Sequence, residues 1–214
     1  ITRAGQVPAY SLVPEGVWNY TPATYQWRSS APSVRLAKAR SLYAAAGYSA
    51  ARPLHLRMLY NENDLIQKVC VAIAAMWKQE LGVETELIQM EFRAYLAARA
   101  DPAQWDIVRV GWSVDYNDAS SFLDTMTAGS PQNFGRWSNT HYSQLLADAA
   151  VQTDVVRRRQ LLEQAERLML DDYPLLPVYF YVTRRLVRAH ISAPPINPMN
   201  RTYSRDFGVK EQLR

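Results

Sequence analysis

PLHLRMLYNENDLIQKVCVAIAAMWKQELGVETELIQMEFRAYLAARADPAQWDIVRVGW, residues 53–112, decides the fold. Its first eight residues alternate, with Leu54, Leu56, Met58 and Tyr60 on one face, the pattern of a strand. Asp64 is the expected cap of a helix running to about Leu81, with Leu65, Val69, Ala72, Ile73 and Met76 as its apolar stripe. Gly82 supplies the stop, since a left-handed residue closes a helix most cheaply as glycine. VETELIQM (83–90) reads as a second strand. Phe92, Tyr95 and Leu96 mark a helix from about Glu91 to Ala100, which Pro102 ends. WDIVRVGW (105–112) reads as a third strand. Strand–helix–strand–helix–strand in about sixty residues implies parallel pairing, because only a helical crossover returns the chain to the same end of the sheet. The expected class is α/β.

Upstream, Ser33 is the expected cap of a helix rich in strong formers, LAKARSLYAAA, with Gly47 just past its end. Residues 1–32 carry Pro8, Pro14, Pro22 and Pro32 among Trp18, Tyr20, Tyr25 and Trp27. They have no periodicity and need a surface to lie on. Downstream, a short helix is expected within 119–127, and Asn139 caps a helix carrying Tyr142, Leu145, Leu146 and Ala149. A longer helix spans about 155–170, with Leu161, Leu162, Ala165, Leu168 and Met169 inward. LLPVYFYV (175–182) reads as a strand between prolines, a further strand is expected near 186–189, and residues 191–214 are weakly patterned.

Composition excludes several classes. Apolar residues at 48% allow a real core, and 21% charged residues with a net charge of +4 are ordinary for a globular chain. The run Arg157–Arg159 falls on a helical pattern and reads as a solvated face. Nothing resembles a nucleic-acid-binding motif. Cys70 is the single cysteine, so no internal disulfide forms, and His55, His141 and His190 show no zinc spacing. No run of roughly 18 apolar residues suggests a membrane span, and no basic-then-apolar signal-peptide pattern opens the chain, which implies either that it was removed or that this is an internal fragment. The 6 Trp, 13 Tyr and 5 Phe suit ligand contact as well as packing.

Open α/β sheets bind ligands outside the carboxyl ends of their strands. Two segments qualify by order: Tyr60-Asn61-Glu62-Asn63, and Trp112-Ser113-Val114-Asp115-Tyr116-Asn117-Asp118. The second gathers aromatics, an amide and two carboxylates, and Asp118 is a natural helix cap. Arg109 interrupts an otherwise apolar strand. It is read either as half of an ion pair, with Asp106 or Asp115, or as a ligand-site arginine. No nucleophile elbow, phosphate loop or dinucleotide fingerprint occurs. Asp115 and Asp118 form a possible acid/base pair with nothing further behind it. No catalytic residue, metal site or cofactor is expected.

Several ordered blocks resemble the extracellular solute-binding proteins that feed bacterial oligopeptide and dipeptide ABC importers. They are AAAGY (44–48), MLYN (58–61), KQELGVETELIQMEF (78–92), WDIVRVGWSVDYNDASSFLDTM (105–126) and AERLMLDDYPLLPVYFYVTRRLV (165–187). The resemblance implies a periplasmic-binding-protein-like lobe, with a mainly parallel β-α-β-α-β core, additional C-terminal helices and a returning strand. It implies a two-lobed clamp closing on a peptide, of which this chain supplies mainly the C-terminal lobe. In that reading 1–32 is an inter-lobe segment, 33–183 the ligand-binding lobe, and 184–214 a segment crossing back to the N-terminal lobe. The expected partners are a peptide, that N-terminal lobe and the permease subunits, without nucleic acid or direct membrane insertion. The expected protein is monomeric, and periplasmic or extracellular and anchored through its N-terminus.

The family's aspartate that pairs with the ligand's α-amino group matches Asp115. Arg109 matches a pocket arginine, and Arg99 a second one if a single insertion is allowed. Trp112 and Tyr116 would line the cleft, with Asn117, Tyr60 and Asn61 beside them. Ile66 departs from a histidine that peptide binders of the family can carry. Family relatives tuned to a metal chelate, a sugar or a murein peptide, and a carboxylate-dependent hydrolase, are the alternatives.

Overall fold

The computed structural model describes residues 5–210. They fall into two compact units. The first holds 25–111 and 131–137. The second holds 5–24, 112–130 and 138–210.

The first unit is the α/β half. Its helix α1 (Pro32–Ala45) starts two residues earlier than expected. Ala31 is the cap position and Pro32 the first helical residue, where proline's missing N–H costs nothing, so Ser33 lies inside the helix. Gly47 stands at φ 85°, just past the end, as expected. Strand β1 (His55–Asn61) is central, flanked by β2 (Glu84–Met90) and β3 (Ile107–Val108), both parallel to it. The register runs from His55 opposite Glu84 to Asn61 opposite Met90, with Met58 opposite Ile107.

Both faces of β1 are covered, as a parallel sheet requires. Met58 and Tyr60 pack with Ile66 and Cys70 of α2 (Asp64–Leu81), backed by Ile73 and Trp77. Leu59 points the other way, into Tyr95 and Ala98 of α3 (Phe92–Ala98) and Trp105. The α2 stripe is therefore Ile66-Cys70-Ile73-Trp77, one residue off the expected face, and Met76 is exposed. The cap also shifts by one. Asn63 Oδ1 accepts from Leu65 N at 3.0 Å and Ile66 N at 3.1 Å, leaving Asp64 in the first turn.

The third strand is shorter than 105–112. Asp106 N and Arg109 N still donate to the Arg57 and Leu59 carbonyls on either side of the paired residues. The chain then leaves the first unit after Gly111, and the pairing ends although β1 itself runs on to Asn61.

The second unit contains α4 (Ser120–Leu123), α5 (Thr140–Val151) and α6 (Val155–Asp172). Asn139 caps α5 as expected, accepting from Tyr142 N at 3.1 Å. Helices α5 and α6 form a hairpin around Tyr142, Leu146, Leu162, Ala165 and Met169. The arginine run is split rather than solvated throughout. Arg157 is exposed, whereas Arg158 turns inward to Asp118 and Arg159 lies 3.6 Å from Glu163.

The expected strand 175–182 is reduced to Tyr179–Phe180, antiparallel to Val7–Pro8. Pro8 has no N–H to extend that ladder. Residues 186–189 form no strand, and Leu186 is fully exposed. The next ladder pairs Ile191–Ser192 with Gly208–Val209. No helix among the described residues is long and apolar enough to cross a membrane.

Segment 5–24 has no periodicity, yet its central part is buried. It is fastened by Glu166, which is fully enclosed on α6. Oε1 accepts from Leu12 N at 2.9 Å and Val13 N at 2.8 Å. Oε2 accepts from Tyr20 Oη and Ala23 N, both at 2.8 Å. Burial pushes this carboxyl up, against the downward pull of those four donors.

Candidate functional site

The eight residues singled out from the sequence divide four and four between the units. In the first unit, Asn61 ends β1 and Arg109 follows β3, so both lie at the carboxyl edge of the sheet. Arg109 Nη1 reaches Asn61 Oδ1 at 3.5 Å. The Tyr95 hydroxyl donates to the Arg109 carbonyl, which fixes the backbone there. Arg99 lies over the rings of Phe134 (4.7 Å) and Tyr95 (5.5 Å), so Tyr95 links the settings of both arginines. Asp106, one acid considered for Arg109, engages Arg57 instead at 3.1 Å. Tyr60 is only 2% exposed and packs in the core behind the strand end. Ile66 is buried beside it.

A cavity of about 550 Å³ in this unit lies at the other edge. His55, Arg57, Glu84, Glu86 and Asp106 line it. It gathers the amino ends of the strands, where α/β sheets do not place ligands.

In the second unit, residues 112–121 form a turn tied to the start of α4. Val114 and Ala119 are buried and anchor it from below. The Trp112 indole N–H donates to the Ser121 carbonyl at 2.9 Å, and Asp115 N donates to Ser121 Oγ at 3.3 Å. Asn117 Oδ1 accepts from Trp18 N at 3.2 Å. Tyr116 Oη lies 3.3 Å from Ser120 Oγ.

Asp118 accepts from Ser120 N at 2.9 Å, but the cap position of α4 is Ala119, one residue later than the cap expected at Asp118. It also binds Arg158 through both oxygens, at 2.7 and 2.9 Å. Partial burial raises its carboxyl, but the Arg158 and Ser120 hydrogen bonds outweigh that and hold it below the ordinary aspartate range. Asp115 points outward, with two-thirds of its side chain exposed, and meets Arg201 Nη2 at 3.2 Å. Asp115, Tyr116 and Asn117 line a cavity of about 380 Å³ with Pro194, Asn197 and Arg201.

Trp112, Asp115, Tyr116 and Asn117 are thus brought together on one turn, and Asn61 with Arg109 on one strand edge. Sequence reading missed Glu166, Arg158, Ser121 and Arg201. Glu166 left a signal, because it falls between Leu162 and Leu170 on the inward stripe of α6. Arg201 left none.

Residues 1–134 match the family described as bacterial extracellular solute-binding proteins, family 5, middle portion. The chain is 35% identical over 206 residues to the probable deoxycholate-binding periplasmic protein YgiS of Escherichia coli, covering 96% of this chain and 38% of that one. It is 33% identical over 210 residues to the periplasmic murein peptide-binding protein MppA of the same organism, covering 98% and 39%. Its fold superposes on the solved structure of OppA from Burkholderia pseudomallei with a TM-score of 0.85 at 36% identity, covering 99% of this chain and 42% of that one. The chain therefore spans well under half the length of these relatives.

Proposed function

We propose that this chain, which belongs to family 5 of the bacterial extracellular solute-binding proteins, is one lobe of a receptor that captures short peptides for an ABC importer. The protein works in the periplasm, as the names of its relatives say of them, or outside the cell on an N-terminal anchor. It acts as a monomer that hands its ligand to the permease subunits. It needs no cofactor.

The observation that carries this reading is the setting of Asp115. Its carboxylate stands outward on a cavity edge, on a turn braced by Ser121. An outward carboxylate beside aromatic and amide groups suits a ligand ammonium, since charge-assisted hydrogen bonds are among the stronger ones. Trp112, Tyr116 and Asn117 are the other ligand-contacting groups of this turn. Within the first unit, taken by itself, Asn61, Arg99 and Arg109 are the candidate ligand contacts. Tyr60 supports Asn61 from the core. Binding without chemistry is supported by Asp118. A general acid needs a raised carboxyl, and Asp118 is held down in an ion pair with Arg158.

Calorimetry on the full-length protein tests this. Trialanine is expected to bind, and N-acetyl-trialanine or an Asp115→Asn variant to weaken binding at least tenfold. Equal affinity for the two peptides would remove Asp115 from the site. A second reading has the 35% identity to the deoxycholate-binding relative behind it: an amphipathic acid as ligand. Binding of deoxycholate with no response to any peptide would select it.

A further inference from the structure

We propose that Arg201 is a built-in occupant of the Asp115 carboxylate, one that a ligand's ammonium group has to displace. This rests on the reading of Asp115 as the ammonium partner. The two residues are 86 positions apart, and Arg201 Nη2 lies 3.2 Å from Asp115 Oδ1. The meeting is arranged by a fastened turn. Asn200 N donates to the Asn197 carbonyl at 2.9 Å, with Pro198 in the second position, where its fixed φ suits a turn. The Asn197 side chain donates to the Arg201 carbonyl at 2.6 Å and accepts from Arg201 N at 3.3 Å. Asn200 takes a left-handed φ of 51°, and its Oδ1 accepts from Thr183 Oγ1 at 2.7 Å. The backbone of Arg201 is therefore fixed, and its guanidinium is delivered to one place.

The side chain itself is only loosely held. Its contact is a single nitrogen to a single oxygen, with the Arg201 side chain 56% and that of Asp115 66% exposed. An exposed, one-point ion pair is weak and exchanges readily. The other charged residue on the cavity's lining is Asp206, which Arg205, outside that lining, approaches at 3.8 Å. With Arg201 in place the Asp115 carboxylate is paired, so an approaching cation meets its charge already partly neutralised. With Arg201 swung away, Asp115 offers its full charge. Arg201 is in this sense a specificity-determining residue: it weakens binding of every amine ligand by the strength of one exposed pair, and so penalises ligands that hold on by their ammonium alone.

The test is calorimetry on the full-length protein carrying Arg201→Gln, Arg201→Lys or no change, with trialanine and N-acetyl-trialanine. Arg201→Gln is expected to tighten trialanine about two- to fivefold and to leave the acetylated peptide unchanged. Arg201→Lys, which keeps the charge, is expected to stay close to the unaltered protein. If Arg201→Gln leaves trialanine binding unchanged or weakens it, while acetylation still costs affinity, the occupant role is overturned and Asp115 keeps its own. If acetylation costs nothing in the unaltered protein, it is the reading of Asp115 that fails.

Discussion

The first unit and the N-terminal segment of the second are held by opposite means. In the first, a central strand buries Leu59 on one face and Met58 and Tyr60 on the other, and helices cover both. Its cohesion is spread over many apolar contacts, each fully buried large side chain contributing about 1.5–3 kcal/mol. In the second, a stretch with no apolar period, 5–24, is held by one carboxylate with four donors. Dispersed cohesion loses a little with each change, whereas cohesion through Glu166 fails at a point.

Glu166→Ala is where that contrast breaks most sharply. The substitution strands three buried or half-buried N–H groups and the Tyr20 hydroxyl without their acceptor. Each buried group left unsatisfied costs about 1–3 kcal/mol, with some relief from water. The expected loss is about 3–5 kcal/mol in urea unfolding of the full-length protein, with proteolysis opening first within 10–24. A loss below 1 kcal/mol would mean that the segment is held by its apolar residues, Val13, Val17 and Ala23, and the contrast between the units would fall away.

The same difference explains what was legible beforehand. Strands and helices of the first unit repeat every two or 3.6 residues, so β1, β2, α2 and α3 could be read from Leu, Ile and Tyr spacing alone. Element limits there shift by one or two residues, and the two helix starts have a local cause: Pro32 takes the first helical position, and Asn63 caps in place of Asp64. The paired lengths of β3 and of 175–182 could not be read, because a ladder's extent depends on its partner, and one partner is a two-residue piece ending in Pro8. The turn at 112–118 stood out by its density of polar and aromatic groups. What Asp115 and Asp118 touch did not, because Arg158 and Arg201 arrive from 40 and 86 positions away. Such contacts are set by tertiary packing and leave no periodic trace.

Acid sharpens the comparison next, because the buried Glu166 and the partly buried Asp118 of the second unit respond to it with opposite signs. Asp118 is lowered in the folded chain. Its contribution is fully present above its unfolded pKa of about 3.9 and is lost as pH falls through the lower folded value. Glu166 is raised. Folding therefore takes up a proton there between an unfolded value of about 4.3 and the higher folded one, and stability from this source falls as pH rises through that window. Asp118→Asn is expected to cost about 1–3 kcal/mol at pH 7 and to flatten the acid limb of a stability–pH curve below pH 4. Glu166→Gln is expected to make the limb steeper above pH 4. Parallel curves for the two variants would contradict the opposite shifts.

The smallest effect lies in the first unit and tests how local its cohesion is. Asn63 accepts from two of the orphan N–H groups of α2, and Asp64 from none. Replacing a cap of this kind by alanine costs about 1 kcal/mol, so Asn63→Ala is expected to lower the urea midpoint by that amount. Asp64→Asn leaves both hydrogen bonds in place and removes only a charge near the positive end of the helix, worth at most a few tenths to 1 kcal/mol at an exposed site. The order of the two costs is the measurement that matters. If Asp64→Asn were the costlier, the two hydrogen bonds to Asn63 Oδ1 would not be what secures the start of α2.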